Sequence, residues 1–449
     1  MIRTIKNGEN LTMKNLKTAL LTCFFTITMA PMLSGMDRQI IPYQAKTFIS
    51  PNKPTAFFSN PQDDGGFKIV KPSVQKTQPG DKIFAHLFCL TDLEFVNILI
   101  EKIKAGVHVS VMLSNSHKHI SKGLASIQQA VKNAPNSSLT FFNENSSVRK
   151  KIHTTDEKTL PQTLHTKTIG WTYQHPEKGT QYRIFDGSRN PTYMTMSFEG
   201  KESNKELSLY DVNKESFETH LKFHESLKTP TTPTKSIINY KNNPALEITP
   251  QKPTTIFSTK HNIAKTVTQR FANTQEKAWI ALYAFNDPEA QATIRDLIQN
   301  NKLELLLTDR TCLKSNLEYF QNLPEHAPVH VFNVDENTKV GKFPTIMHTK
   351  GFVRKNNDND FLVGIGSTNL TTANNSDINN FTFIPSQENN KEMAESMIQN
   401  FEEIKKECMP LKTALAYLAQ QKLQTAPSKK KAALDTNTSE KKKYKKDTK

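Results

Sequence analysis

Apolar residues fall along the chain in two similar series. In the first, Ile83 to Phe88 predicts a strand ended by Thr91-Asp92, and Leu93 to Lys104 is apolar at helical spacing. Gly106 stops that helix, and Val107 to Leu113 alternates as a strand does. In the second, Trp279 to Phe285 predicts a strand ended by Asn286-Asp287, Pro288 to Asn300 a helix, and Lys302 to Leu307 the next strand. A further strand is expected in each, Ser138 to Phe142 and Pro328 to Phe332, and each series closes on an amphipathic helix, Asn213 to Leu227 and Lys391 to Cys408. Strand, helix, strand, given twice, predicts a duplicated α/β unit whose parallel strands are joined by right-handed crossovers with helices on the sheet faces.

This pattern divides the chain into a signal peptide (1–35), a polar lead (36–80), a first repeat (81–228), a Pro/Thr/Asn-rich linker (229–253), a second repeat with a short C-terminal helix from Leu411 (254–424), and a disordered Lys-rich tail (425–449). The signal reading rests on the basic start Met13-Lys14-Asn15-Leu16-Lys17, the mostly apolar run from Ala19 to Leu33, and the small pair Ser34-Gly35. It predicts export to the periplasm or the exterior; the alternative is an uncleaved N-terminal anchor. Multi-span membrane folds are excluded because no uninterrupted apolar stretch of about 18 residues occurs.

Net charge changes the picture of partners. The chain of 449 residues carries +16, of which residues 428–449 hold +6 and residues 1–35 hold +3, leaving +7 for the body. A basic body favours anionic partners, and a phospholipid surface or nucleic acid would each serve. Cys23, Cys89, Cys312 and Cys408 are scattered with no CxxC or His/Cys cluster, so neither a zinc site nor a disulfide framework is expected; no metal-ligand cluster is recognisable, and no metal or cofactor is expected. No Walker, GxGxxG or GxSxG element is present.

Candidate chemistry sits at matching places in the two series. Leu164-His165-Thr166-Lys167 and Met347-His348-Thr349-Lys350 each put His and Lys on one face of an extended segment. One imidazole can attack or protonate while the ammonium holds a phosphoryl oxygen. His-x-Lys alone is weak, and a third copy, His220-Leu221-Lys222, lies in a predicted helix. What distinguishes the first two is the segment that follows each: Gly187-Ser188-Arg189-Asn190-Pro191-Thr192 and Gly366-Ser367-Thr368-Asn369-Leu370-Thr371.

The duplicated His-x-Lys and Gly-Ser-x-Asn resembles the phospholipase D superfamily, over about residues 80–408. The resemblance implies an α/β fold of two tandem α/β/α repeats with mixed, mainly parallel sheets and an active site at their pseudo-two-fold interface. It implies a metal-independent phosphodiesterase that forms a phosphohistidine. Carried onto this chain, His165 becomes the nucleophile and His348 the general acid and then base, although the residues alone leave the order of the two open. Lys167, Lys350, Asn190 and Asn369 would bind the non-bridging oxygens, with Ser188 and Ser367 hydrogen-bonding around the histidines. The family's motif also has an aspartate where this chain has Thr172 and Lys355, a residue that mainly supports the fold and that the tyrosyl-DNA phosphodiesterase branch also lacks. Glu206, in Asn204-Lys205-Glu206-Leu207, has no acidic counterpart in Asn379-Asn380-Phe381; it either orients the opposite histidine or faces solvent. Asp186 stands where an apolar strand residue is expected; a surface pairing with Arg183 or Arg189 is the reading, with no chemistry assigned. His117-Lys118-His119 reads as a polar loop.

The leading functional expectation is an exported hydrolase of the distal phosphodiester of glycerophospholipids. An endonuclease of the same superfamily and a catalytically degenerate phosphate- or lipid-binding protein are the alternatives. With both motifs in one chain a monomer suffices, and the oligomeric state stays open.

Overall fold

The computed structural model describes residues 53–60, 63–64, 66–115, 118, 121–142, 163–192, 204–228, 243–246, 252–340, 343–372, 377–385 and 391–425. The signal segment, most of the linker, the Lys-rich tail, His117 and His119 lie outside them.

The first repeat runs β1 (Thr55–Asn60), β2 (Asp63–Asp64), α1 (Phe67–Gln75), β3 (Lys82–Leu87), α2 (Leu93–Lys104), β4 (His108–Ser114), α3 (Leu124–Lys132), β5 (Ser138–Phe142), β6 (Thr168–His175), β7 (Gly179–Gly187), β8 (Leu207–Asp211) and α4 (Lys214–Lys228). The second runs β9 (Thr254–Phe257), α5 (Ile263–Ala272), β10 (Lys277–Leu282), α6 (Pro288–Gln299), β11 (Leu303–Asp309), α7 (Arg310–Ser315), α8 (Leu317–Gln321), β12 (Val329–Phe332), β13 (Lys339–Val340), β14 (Phe343–Pro344), β15 (Lys350–Asn357), β16 (Asp360–Gly366), β17 (Asn380–Pro385), α9 (Lys391–Lys406), β18 (Cys408–Pro410) and α10 (Leu411–Thr425).

Among the described residues each repeat builds one eight-stranded sheet, ordered β2-β1-β8-β7-β6-β3-β4-β5 and β18-β12-β11-β10-β15-β16-β17-β9. The expected tandem α/β repeats with mixed sheets are present, but their pairings are mainly antiparallel rather than mainly parallel. Only β3-β4, β4-β5, β10-β11 and β11-β12 run parallel. After these crossovers the chain folds back in the hairpins β6-β7 and β15-β16, which need only tight turns. Gly179 supplies one turn with φ +67°. The polar lead expected over 36–80 is corrected in part: Phe58 of β1 is buried, β1 pairs with β8, and α1 buries Phe67, Val70 and Val74 against the first sheet. Leu246, within the expected linker, packs on the second core.

The same local chemistry starts the first crossover helix of each repeat. Asp92 caps α2 by accepting from the Glu94 amide, and Asp287 caps α6 with Pro288 in the first turn. Alternation along β3 sends Ile83, Ala85 and Leu87 to the side covered by α1–α3, and Phe84 to the side covered by α4. In the second repeat α5–α8 and α10 cover one face and α9 the other. The closing helix of each repeat also reaches across the seam. Phe223 of α4 stacks on Phe257 of β9 with centroids 3.8 Å apart, and Phe401 of α9 meets Phe58 of β1 edge to face at 6.4 Å. No described helix is long and apolar enough to cross a membrane.

Candidate active site

Both His-x-Lys segments lie at the seam, each stitched to the other repeat by its backbone. Leu164 bridges Ile378 and the His165 amide donates to the Ile378 carbonyl at 2.8 Å; Met347 bridges Lys205 and the His348 amide donates to the Lys205 carbonyl at 2.8 Å. These crossed bridges bring the two imidazoles together edge to face, with centroids 6.5 Å apart.

Each ring is held at Nδ1 by the opposite repeat. His348 Nδ1 lies 3.0 and 2.9 Å from the two Glu206 oxygens, and His165 Nδ1 lies 2.8 Å from Asn379 Oδ1. Both partners only accept, so Nδ1 of each ring carries the hydrogen and Nε2 is left to the space between the rings. Glu206 is therefore no solvent-facing strand residue: it is 1% exposed, and it receives the Ser188 hydroxyl at 2.6 Å. Ser367 stands in the corresponding place, 3.1 Å from Asn379 Oδ1. The serines thus hold the partners of the histidines rather than the rings themselves.

The glycine of each Gly-Ser-x-Asn allows this packing. Gly187 has φ +147°, and a Cβ there would come within 2.4 Å of the Leu207 carbonyl; one at Gly366 would come within 2.6 Å of the Asn380 carbonyl. With no side chain in the way, the Ser188 and Ser367 amides reach the Leu207 and Asn380 carbonyls. In the same loops the Asn190 Oδ1 accepts from the Cys89 amide, and Asn369 is half-buried.

The lysines line the floor. Lys167 Nζ donates to the His165 carbonyl, and Lys350 Nζ to the His348 carbonyl at 2.6 Å. Each ammonium also lies over a ring, Lys167 over Phe88 at 5.3 Å and Lys350 over Tyr283 at 5.0 Å, and these rings meet His165 and His348 edge to face. Two buried ammonium groups beside two imidazoles raise the cost of every positive charge. Burial drives Lys167 down to about 7, with Glu206 pulling the other way, and holds Lys350 well below the ordinary lysine value. Burial takes His348 down to about 4, partly offset by Glu206, and His165 well below 6.5, helped by Lys167 and Lys350. Burial would raise the Glu206 carboxyl, but His348, Lys350 and Ser188 more than offset it. Burial thus disfavours further positive charge here, and an anion in the site would offset it. Among the described residues no group of three or more His, Cys, Asp or Glu is placed to hold a metal ion.

A family model described as cardiolipin synthase, PLD-like domain, matches residues 267–405. That span contains the second His-x-Lys and Gly-Ser-x-Asn, and the first repeat presents the same constellation on the same frame. Over residues 267–405 the chain matches a PLD-like domain. Its fold is similar to that of phosphatidylserine synthase from Haemophilus influenzae Rd KW20, at TM-score 0.53 and 12% identity over 82% of this chain and 94% of that one. It is also similar to that of polyphosphate kinase from Porphyromonas gingivalis, at TM-score 0.51 and 10% identity over 83% of this chain; the matched part is 56% of the kinase. No curated protein matches the sequence.

A carboxylate stands beside each position where the phospholipase D motif has its aspartate. Thr172 Oγ1 lies 3.3 Å from Oδ1 of Asp81, which is buried just before β3; Lys355 lies 3.3 Å from Glu276, just before β10. Of the candidate site residues, His165, Lys167, His348, Lys350, Glu206, Ser188 and Ser367 converge at the seam. Asn379 and Asn380 went unrecognised, although their register opposite Glu206-Leu207 was visible. Phe88 and Tyr283 read only as strand residues. Asp186 is not a surface residue but 1% exposed, and His220, set apart in a helix, is buried beside it.

Proposed function

We propose that the protein is an exported phospholipase D-type hydrolase that cleaves the distal phosphodiester of glycerophospholipids through a phosphohistidine. The observation that carries this reading is the pair of imidazoles 6.5 Å apart, each with its Nδ1 hydrogen held by the opposite repeat. A phosphodiester anion between them supplies the negative charge that the buried lysines require, and with it the proton affinity that the imidazoles lack in its absence. His165 Nε2 attacks phosphorus as the bond to the head-group oxygen breaks, and His348 gives that oxygen its Nε2 proton. Water then attacks phosphorus, His348 takes a proton from it, and the P–N bond breaks, releasing phosphatidic acid and restoring both rings. Asn379 accepts from neutral His165, and Glu206 stabilises His348 in its charged form, so the more basic ring is the acid.

A lipid substrate is supported by the cardiolipin synthase description of the matched domain and the phosphatidylserine synthase fold, and by a basic body suited to anionic surfaces. The test is turnover in EDTA by the protein lacking residues 1–35, on phosphatidylcholine vesicles and plasmid DNA in parallel, with His165→Ala and His348→Ala as controls. Lipid cleavage lost in both variants is the expected result. Cleavage of DNA alone would replace this reading with a nuclease, and binding of either substrate without turnover would replace it with a binding protein.

A further inference from the structure

The segment that carries the second His-x-Lys is held along both edges before β15 begins. In extended backbone the amide and carbonyl of one residue face one edge, and those of the next residue face the other. Ile346 and His348 face the first repeat. The Ile346 amide donates to Asn204 Oδ1 at 3.1 Å, the Ile346 carbonyl accepts from the Lys205 amide at 2.9 Å, and the His348 amide donates to the Lys205 carbonyl. Thr345, Met347 and Thr349 face the second repeat. The Thr345 carbonyl accepts from Arg310 Nη1 at 3.0 Å and Asn333 Nδ2 at 2.9 Å, and the Thr349 carbonyl accepts from the Tyr283 amide at 3.0 Å. Between them the Met347 amide donates to Asp309 Oδ2 at 2.9 Å. His348 is thus flanked by two links to its own repeat, Met347 to Asp309 before it and Thr349 to Tyr283 after it.

Asp309 is the last residue of β11 and is wholly buried. Its other oxygen, Oδ1, caps α7 by accepting from the Thr311 amide at 2.9 Å and the Thr311 hydroxyl at 2.8 Å. Donors therefore come at both oxygens, which a carboxylate accepts and a side-chain amide cannot. Burial raises the Asp309 carboxyl, and these three donors and Arg310 oppose that rise. Capping alone does not call for a carboxylate, since Ser, Thr or Asn caps as well. The Met347 amide does call for it: Met347 is fully buried, and without Asp309 its N–H is a donor deprived of its acceptor. In the first repeat the residue in register with Asp309 is Ser114, so this carboxylate belongs to the half that holds His348. Its charge also acts on Lys350.

We propose that Asp309 is a positioning residue of the second catalytic segment, holding the Met347 amide and so fixing His348 against Glu206 and Lys350 at the floor of the site. The consequence for turnover rests on the phosphodiesterase reading; the contact itself does not.

The test uses the full chain and two readouts: kcat and KM on bis(p-nitrophenyl) phosphate, and the 15N signals of the Met347 amide and the His348 imidazole at pH 7. A parent without turnover would sink the phosphodiesterase reading, while the signals would still decide the role of Asp309. Asp309→Ser keeps an oxygen to cap α7 and is too short to reach Met347; Asp309→Asn keeps the size and loses one acceptor. Each is expected to lower kcat about 10- to 100-fold with KM within about two-fold, to speed hydrogen exchange at the Met347 amide about 10-fold or more, and to shift the His348 imidazole signals. Parental kcat and parental His348 signals in Asp309→Ser would leave Asp309 as the cap of α7 and overturn the proposal. A raised KM at unchanged kcat would assign Asp309 to the charge of Lys350 alone and overturn it too. Should neither variant fold, Met347→Pro removes the donor while leaving the Asp309 charge and the bonds to Lys205, and it too must shift the His348 signals.

Discussion

Glu206 and Lys167 carry opposite electrostatic burdens, and each makes a separate prediction. Glu206 matters most when His348 must be a cation. Glu206→Gln is therefore expected to lower kcat about 10- to 100-fold on a diester with a poor alcohol leaving group, and distinctly less on a p-nitrophenyl diester, whose leaving group needs little protonation. Equal losses on both substrates would remove His348 from the acid role. Lys167 is held at about 7 against 10.5 for an ordinary lysine, so the unfolded chain binds more protons between those values. Stability from this group is lowest below pH 7 and rises as pH climbs from about 7 to 10.5. Lys167→Met is expected to abolish turnover, to raise the melting temperature at pH 7 by about 2 °C or more, and to flatten that pH dependence, all read by thermal melts across pH 6–10. The same titration is expected to weaken inorganic phosphate binding above pH 7, as the ammonium loses its proton. The histidines, lysines and serines were legible because each occurs twice in matching surroundings. Asn379 was not, because it breaks the repeat and its meaning depends on a partner about 200 residues away.

At the scale of elements, the helices that close each repeat pack across the seam on which the site lies. Phe257 stacks on Phe223 and Phe401 meets Phe58, so both aromatic contacts hold one repeat's helix against the other repeat's strand. Phe257→Ala and Phe401→Ala are each expected to cost about 3–5 kcal/mol in denaturant unfolding, since each removes a buried ring that neighbours cannot replace. A cost below about 1 kcal/mol would show that the seam does not depend on these contacts. The crossover strands and helices were readable from periodicity, helped by Asp92, Asp287 and Gly106 at their ends. The hairpins β6-β7 and β15-β16 were not, because Gly170, Gly351 and Gly364 interrupt their apolar pattern, and the fully buried stretch from Thr168 to Tyr173 gives no alternation to follow.

For the whole molecule, the decisive feature is that neither repeat contains a complete site. His165 depends on Asn379 and the Ile378 carbonyl, and His348 on Glu206 and the Lys205 carbonyl. Calorimetry is expected to show one unfolding transition for the body of the chain; two separable transitions would mean that the repeats are independent domains meeting loosely. The sequence by itself determined the duplication, the α/β class, the candidate site residues and the basic charge, because these follow from local periodicity, repeated motifs and composition. Only the tertiary structure decided that the sheets are mainly antiparallel, that Asp81 and Glu276 stand beside Thr172 and Lys355, and that the two histidines have unequal partners. Each of these depends on which distant segments pack side by side, and burial then sets the charge and proton affinity of every group placed there.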